Sequence, residues 1–233
     1  MTLSAGQEDW RMPITTCIFD AYGTLFDVAA AARELARTEA ALADTWPRLA
    51  ADWRTRQLSY TWLRATADQH LDFWRVTGDA LDWALEAQSL PEALRAPLMN
   101  LYWTLGAYPE VPQMLTDLKA RGLATGILSN GTPEMLDGAV DHAGIGNDLD
   151  AVLSVETIGI FTPHPRVYDL VGQHFGCAPD QVLFVSSNGW DAAAASAYGF
   201  TTLWVNRAGE PRERLWGAPD HVARDLTQVG ALI

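Results

Sequence analysis

Apolar and polar positions follow two different periods along the chain, and the change of period divides it into parts. A short apolar run, Thr16 to Phe19, ends at Asp20, which is typical of a buried parallel strand. Residues 28 to about 106 contain no such run, and their apolar residues recur every three or four positions, which predicts about four successive helices. From residue 107 onward, short apolar runs and helical periods alternate again.

This alternation predicts an α/β fold built on a doubly wound parallel sheet with helices on both faces. The expected helices cover residues 28–43, 46–67, 71–88, 91–105, 111–121, 133–143, 163–175 and 191–198. After the first strand, the further strands are expected at residues 124–128, 151–155, 182–185 and 201–205. We therefore expect a Rossmann-like core from residues 13–27 and 107–233, a helical cap insertion from residues 28–106, and a loose tail at residues 1–12.

Polar residues cluster where three of the expected strands end. They are Asp20, the pair Ser129 and Asn130, and the stretch from Ser186 to Asp191. In parallel sheets of this kind, ligands bind in the crevice at the carboxyl ends of the strands. The three clusters are therefore expected to converge on one site.

Composition excludes several classes of partner. The 233-residue chain is 48% hydrophobic and carries a formal net charge of -13, which disfavours nucleic acid and anionic membranes. It has no apolar stretch long enough to span a membrane and no signal-peptide pattern. Cys17 and Cys177 form neither a disulfide framework nor a metal-site spacing. These features predict a cytoplasmic protein with free thiols, and Lys119 is its single lysine.

Four segments together resemble a known enzyme family. The segments Phe19 to Asp27, Ile127 to Gly131 and Val185 to Asp191 are similar to the first, second and last motifs of the haloacid dehalogenase superfamily. The segment Arg54 to Trp62 resembles the insertion of the L-2-haloacid dehalogenases (type II). The resemblance extends over nearly the whole chain after residue 12 and implies a haloacid dehalogenase core with its cap.

Tyr22 distinguishes two activities within this superfamily. Phosphatase members usually have a second aspartate two residues after the nucleophile, as a general acid and base, but this chain has Tyr22 there. A tyrosine with an ordinary pKa near 10 replaces it poorly. The resemblance thus implies a dehalogenase that needs no metal and no cofactor, with small 2-haloacids as substrates and halide as a product. Homodimerisation and a preference for the S enantiomer follow from the resemblance alone.

The implied reaction uses two carboxylates. Asp20 displaces halide from the α-carbon and forms an ester, which water then hydrolyses to a 2-hydroxyacid. Asp191 is expected to orient or activate that water, although it could instead cap its helix. Arg54 could be a solvated surface residue, but it matches a family arginine that accepts the departing halide. A guanidinium suits this role because it is always charged and weakly hydrated, as a large soft anion requires.

The remaining candidates each have an alternative structural role. Thr24 either turns the chain or holds the Asp20 carboxylate, and Ser186 supports the carboxylate network. Ser129 and Asn130 are either loop residues or donors to the substrate carboxylate. Asn188 either satisfies its loop or reaches the nucleophile or halide. The apolar wall around the α-carbon is expected from Tyr22, Leu58, Trp62, Phe73 and Trp190, and core packing is the alternative for Trp62 and Phe73. Tyr168 matches a family tyrosine that forms a hydrogen bond near the site.

One position departs from the family pattern. The third motif usually has a lysine before a proline, and this chain has Thr162 before Pro163. A cation about 4 Å from the nucleophile is worth roughly 4 kcal/mol at an effective dielectric of about 20, so its loss should raise the pKa of the carboxylate pair. Lys119 lies in a remote helix, whereas His164 or Arg166 could compensate.

Thr162 leaves three explanations open: an enzyme with weakened or altered activity, a non-catalytic relative, or a deliberate substitution that traps an intermediate. The leading interpretation is an (S)-2-haloacid dehalogenase. The alternatives are a phosphatase of the same fold and a protein that keeps the fold without turnover.

Overall fold

A computed structural model describes residues 13–233, so the tail expected at residues 1–12 lies outside the described part. Six parallel strands form one sheet, in the order β3-β2-β1-β4-β5-β6. They are β1 (Thr16–Phe19), β2 (Ala124–Ser129), β3 (Ala151–Ser154), β4 (Val182–Ser186), β5 (Thr201–Val205) and β6 (His221–Ala223). This is the doubly wound arrangement predicted from the sequence, and that prediction is confirmed.

Eight α-helices accompany the sheet within residues 13–233. They are α1 (Ala30–Leu35), α2 (Trp46–Ala67), α3 (Phe73–Ala87), α4 (Arg95–Leu101), α5 (Val111–Ala120), α6 (Pro133–Ala143), α7 (Pro165–Phe175) and α8 (Gly189–Tyr198). The first four follow one another between β1 and α5 without an intervening strand, as the helical period predicted. The division into a core and a cap domain stays a prediction.

The central position of β1 determines where the functional crevice lies. All four residues of β1 are buried, and it pairs with β2 on one side and β4 on the other. Phe19 is in register with Ile127 and Val185, so these three strands reach the same edge of the sheet. Because the strand order reverses at β1, a crevice opens at this edge.

Two predicted helices are much shorter than expected, and the helices expected at residues 71–88 and 163–175 each begin two residues later. The helix expected at residues 28–43 is limited to α1, because Glu39 is extended and only a 3-10 turn follows it. The helix expected at residues 91–105 has α4 at its centre, with a 3-10 turn on each side. This break places Pro97 in the first turn of α4. Backbone N–H groups in a first turn have no partner within the helix, so the missing N–H of proline costs no hydrogen bond there.

Strand β6 was missed by the sequence prediction. It has three residues at the sheet edge, and Val222 is half exposed, so no run of apolar residues marks it. None of the helices between residues 13 and 233 is both long and apolar enough to cross a membrane. Cys17 and Cys177 are free thiols.

Candidate active site

The three strand-end clusters meet in one small cavity at the carboxyl edge of the sheet. Helices α2 and α3 contribute its opposite wall. Its lining consists of Asp20, Tyr22, Arg54, Leu58, Phe73, Ser129, Asn130, Thr162, Asn188, Trp190 and Asp191. The cavity is small, with a volume of about 10 Å³, which is room for about one water molecule.

Asp20 is held at the end of β1 by two side chains from different parts of the chain. Its Oδ2 accepts hydrogen bonds from Thr24 Oγ1 and from Asn188 Nδ2, both at 3.0 Å. Gly23 turns the chain between Asp20 and Thr24 with φ of +92°, a conformation that side-chain-bearing residues rarely adopt. The Thr24 hydroxyl also accepts from the Ser187 backbone N–H at 2.8 Å. The carboxylate is therefore fixed before any ligand binds.

Opposing effects act on the ionisation of Asp20. Removal from bulk water raises the pKa of its carboxyl group. The positive charge of Arg54 and the hydrogen bonds from Thr24, Asn188 and the Ala21 N–H lower it, but burial is the larger effect.

Arg54 reaches the cavity from α2 and contacts the β4 cluster. Its Nη2 donates to the Tyr22 carbonyl at 3.2 Å and to Asn188 Oδ1 at 3.3 Å. Its Nη1 donates to Gln57 Oε1 at 2.8 Å. The Asn188 amide thus links the two charged groups, because its oxygen accepts from the Arg54 guanidinium and its nitrogen donates to the Asp20 carboxylate.

Asp191 is the second carboxylate of the cavity and is almost fully buried. Tyr168 donates its hydroxyl to Asp191 Oδ1 at 2.7 Å. Burial and the negative charge of Asp20 raise the pKa of Asp191 to about 7, and hydrogen bonds from Tyr168 and Ser186 oppose this rise. Asp191 therefore exchanges a proton near neutral pH. Tyr168 lies behind Asp191 rather than on the cavity surface.

Asn130 and Thr162 form a reciprocal pair on the β2 side. Asn130 Nδ2 donates to Thr162 Oγ1 and the Thr162 N–H donates to Asn130 Oδ1, both at 2.9 Å. Ser129 Oγ accepts from the Gly131 N–H at 3.2 Å. Thr162 is buried and lines the cavity, so the position that departs from the family pattern does face the two carboxylates.

Neither proposed compensating residue lies in the cavity wall. His164 accepts from the Arg166 N–H at 3.2 Å and caps α7, and Arg166 is exposed. Lys119 pairs with Asp150. Among the residues that line the cavity, Arg54 is therefore the single positively charged side chain.

Aromatic rings form part of the cavity wall. Tyr22 packs against Phe73 and Tyr102, with ring centroids 5.9 and 5.8 Å apart. The Tyr22 hydroxyl is buried and has no hydrogen-bond partner in the described part of the chain, and burial raises its pKa. Trp62 packs edge-on against Trp190 at 5.2 Å but lies outside the cavity.

Two residues of this network were not singled out from the sequence. Gln57 is fully buried, and besides accepting from Arg54 it donates to Thr77 Oγ1 at 2.7 Å. It lies four residues after the buried Trp53 on α2, so helical spacing alone could have placed it on the inner face. Ser187 touches Thr24, but its loop position carries no comparable periodic signal.

The arrangement favours nucleophilic substitution by a carboxylate. Asp20 faces a cation, Asp191 is a second carboxylate with a raised pKa, and Tyr22, Leu58, Phe73 and Trp190 add apolar surface to an otherwise polar wall. Two carboxylates are present, but no group of three His, Cys, Asp or Glu side chains in residues 13–233 is placed to hold a metal ion.

Comparison with known proteins places the chain in a family. Residues 14–199 match the model of the haloacid dehalogenase-like hydrolases. The chain is 41% identical over 223 residues to (S)-2-haloacid dehalogenase 1 of a Pseudomonas species, which covers 95% of this chain and 97% of that protein.

Solved structures agree with this match. An L-2-haloacid dehalogenase is 42% identical with a TM-score of 0.90, over 95% of this chain and 99% of its own. The Xanthobacter autotrophicus enzyme, solved with chloropropionic acid covalently bound, is 35% identical with a TM-score of 0.86, over 94% and 98% of the two chains. The chain therefore belongs to the haloacid dehalogenase-like hydrolases and, among them, to the family of the (S)-2-haloacid dehalogenases.

Proposed function

We propose that this protein is an (S)-2-haloacid dehalogenase, which hydrolyses the carbon-halogen bond of short 2-haloalkanoic acids to give a 2-hydroxyacid and halide. The observation that carries the proposal is the Asp20 carboxylate, held by Thr24 and Asn188 and facing Arg54 in one cavity. The relative that holds covalently bound chloropropionic acid supports the same substrate class.

In the first half-reaction, a carboxylate oxygen of Asp20 attacks the α-carbon from the side opposite the halogen. The new carbon-oxygen bond forms an ester as the carbon-halogen bond breaks, and the halide leaves with the bonding electrons. Arg54 and the Asn188 amide group stabilise the departing anion, because the guanidinium is charged and weakly hydrated. Configuration at the α-carbon inverts.

In the second half-reaction, water attacks the carbonyl carbon of the Asp20 ester. Asp191 accepts a proton from that water, and the 2-hydroxyacid leaves when the tetrahedral intermediate collapses and its oxygen takes a proton. The raised pKa of Asp191 suits this role, because a general base works best when its pKa lies near the working pH. The water oxygen remains in the regenerated Asp20 carboxylate.

The substrate carboxylate is expected to lie against the end of β2. Ser129 and the neighbouring backbone N–H groups are donors suited to an anion there. The Asn130 side chain donates to Thr162 through its amide nitrogen and accepts from it through its amide oxygen, so it stabilises this loop. The second N–H of the amide remains available to a ligand. Leu58, Phe73 and Trp190 surround the α-carbon substituent.

Thr162 limits the rate in this proposal without removing the chemistry. Arg54 is the single cation among the lining residues, so the charges of Asp20 and Asp191 are only partly offset. We therefore expect turnover to be slow at neutral pH and faster when both carboxylates are ionised. The phosphatase alternative is less well supported, because Tyr22 is buried with a raised pKa and serves poorly as a general base.

The decisive experiment is a single turnover of (S)-2-chloropropionate in water labelled with oxygen-18, followed by mass spectrometry of the peptide that contains Asp20. The proposal expects chloride release and one heavy oxygen in Asp20. Heavy oxygen in the product alone would mean that water attacks the substrate directly. Asp20→Asn is the matched control and should release no chloride. Release of phosphate from a phosphate ester, with no release of chloride from (S)-2-chloropropionate, would instead favour the phosphatase.

A further inference from the structure

A second and larger cavity adjoins the one that contains Asp20. It has a volume of about 520 Å³, within the range of small-molecule sites. It lies between the end of α2 (Trp62 and Ala65), residues 161–165, Trp190 and the loop residues Leu215 and Trp216. We refer to it as the outer groove.

The outer groove shares part of its wall with the inner cavity. Thr162 and Trp190 line both. The Trp190 ring is held on the groove side by edge-on contact with Trp62 at 5.2 Å. The inner cavity has about 10 Å³ free, so any 2-haloacid must displace part of its wall. A displacement of Trp190 would join the two spaces directly.

The groove is apolar in a strongly acidic protein. No lysine, arginine, aspartate or glutamate lines it, and His164 is its single titratable side chain. Trp62, Leu215 and Trp216 are exposed by 38%, 39% and 72%. Apolar side chains clustered at the surface mark binding sites more often than isolated ones do. The walls suit a hydrocarbon chain better than a second charged group.

We propose that the outer groove binds the alkyl chain of 2-haloalkanoic acids longer than propionate, while their carboxylate and carbon-halogen bond stay beside Asp20. This inference rests on the proposed function and specifies its substrate class. The alkyl chain of the substrate would pass between Trp190 and Thr162. The short side chain of Thr162 leaves room there that a longer side chain at this position would fill.

The test compares kcat/KM for (S)-2-bromopropionate and (S)-2-bromooctanoate. Each methylene moved from water into an apolar site is worth roughly fourfold in affinity. The wild type should prefer the octanoate by about tenfold or more. Ala65→Phe fills the groove without reaching the inner cavity, so it should remove this preference and leave turnover of the propionate within about twofold.

Ala51→Phe is the matched control. It makes the same change on the same helix, at an exposed residue outside the groove. It should keep the preference for octanoate. An equal chain-length preference in the wild type and in Ala65→Phe, or a wild type that prefers propionate, would overturn the proposal.

A second copy of the chain is the competing occupant of the groove. Sedimentation of the wild type and both variants distinguishes the two. If Ala65→Phe dissociates an oligomer that Ala51→Phe preserves, and the chain-length preference does not change, the groove is a contact between copies and the proposal is wrong.

A separate binding measurement distinguishes failure of this inference from failure of the proposed function. The fluorescence of the groove tryptophans is titrated with (S)-2-hydroxyoctanoate and (S)-2-hydroxypropionate, which need no turnover. Tighter binding of the octanoate that is lost in Ala65→Phe supports the groove even if no haloacid reacts. Equal binding of both acids overturns the inference, even if bromopropionate is dehalogenated.

Discussion

At the scale of single residues, charge balance around two carboxylates dominates the site. Burial raises the pKa of both Asp20 and Asp191, the negative charge of Asp20 raises that of Asp191 further, and Arg54 is the single cation on the cavity wall. Thr162 occupies the position where the resemblance leads one to expect a second cation. It forms two hydrogen bonds with Asn130 instead, which stabilise the loop but contribute no charge.

Thr162→Lys is expected to raise dehalogenation of (S)-2-chloropropionate at pH 7 by about tenfold or more, because a nearby cation stabilises both ionised carboxylates. Initial rates of chloride release measure this. Thr162→Met is the control, since it breaks the same hydrogen bonds with Asn130 and adds length without charge. Equal rates in the wild type and Thr162→Lys would show that the threonine is not a catalytic deficiency.

Asp191→Asn is expected to stabilise the fold at pH 8 more than at pH 4. The carboxyl group keeps its proton up to about pH 7 when folded, against an ordinary pKa of 3.8. Between these values the folded state binds more protons than the unfolded chain, so this group lowers stability as pH rises through the window. The neutral asparagine removes that loss and still accepts from Tyr168.

The free energy of unfolding in urea at the two pH values measures the effect. Asp180→Asn, which removes a charge at an exposed site, is the control. A stabilisation by Asp191→Asn that is equal at both pH values would contradict the raised pKa.

At the scale of elements, helix α2 determines how the cavity is completed. Its buried face presents Leu49, Trp53, Gln57 and Thr61 at intervals of four residues, and Arg54 extends from the edge of this face. Gln57 ties the arginine to α3, since it accepts from Arg54 and donates to Thr77. Packing of two helices therefore orients the cation that faces Asp20.

Gln57→Met is expected to lower kcat by about tenfold, because the Arg54 guanidinium loses the acceptor that fixes its rotamer. The loss should be larger for (S)-2-chloropropionate than for (S)-2-bromopropionate, since the poorer leaving group depends more on stabilisation of the departing halide. Steady-state rates with both substrates measure this. Gln69→Met, at an exposed position, is the control. Equal losses for both halides would indicate a purely structural role for Gln57.

At the scale of the whole molecule, the protein carries a net charge of -13 and its proposed substrate is an anion. The summed field of the surface therefore opposes approach of the substrate, and only local donors and Arg54 attract it.

Raising ionic strength with a halide-free salt is expected to increase kcat/KM for (S)-2-chloropropionate by about twofold, because salt screens this repulsion. The neutral 2-chloropropionamide is the control and should show little dependence on salt. A decrease in kcat/KM with salt would mean that the positive field of Arg54 outweighs the surface charge along the approach path.

The order of elements was predictable from the sequence because it depends on local periodicity. The apolar runs at residues 124–128, 151–155, 182–185 and 201–205 all became strands, although β3 is only partly buried. The helix ends were less predictable, as at Glu39 and around α4, because tertiary packing overrides local propensity there. The edge strand β6 lacked a signal because it is short and partly exposed.

By itself, the sequence determined the fold class, the candidate nucleophile Asp20 and the replacement at Thr162, because motif residues and hydrophobic period are local properties. Only the tertiary structure decided that Asn188 links Arg54 to Asp20, that Gln57 orients Arg54, and that neither His164 nor Arg166 reaches the cavity. These facts depend on side-chain directions across elements far apart in the chain. Distances of a few ångströms between such groups arise from packing, and no periodicity in the sequence encodes them.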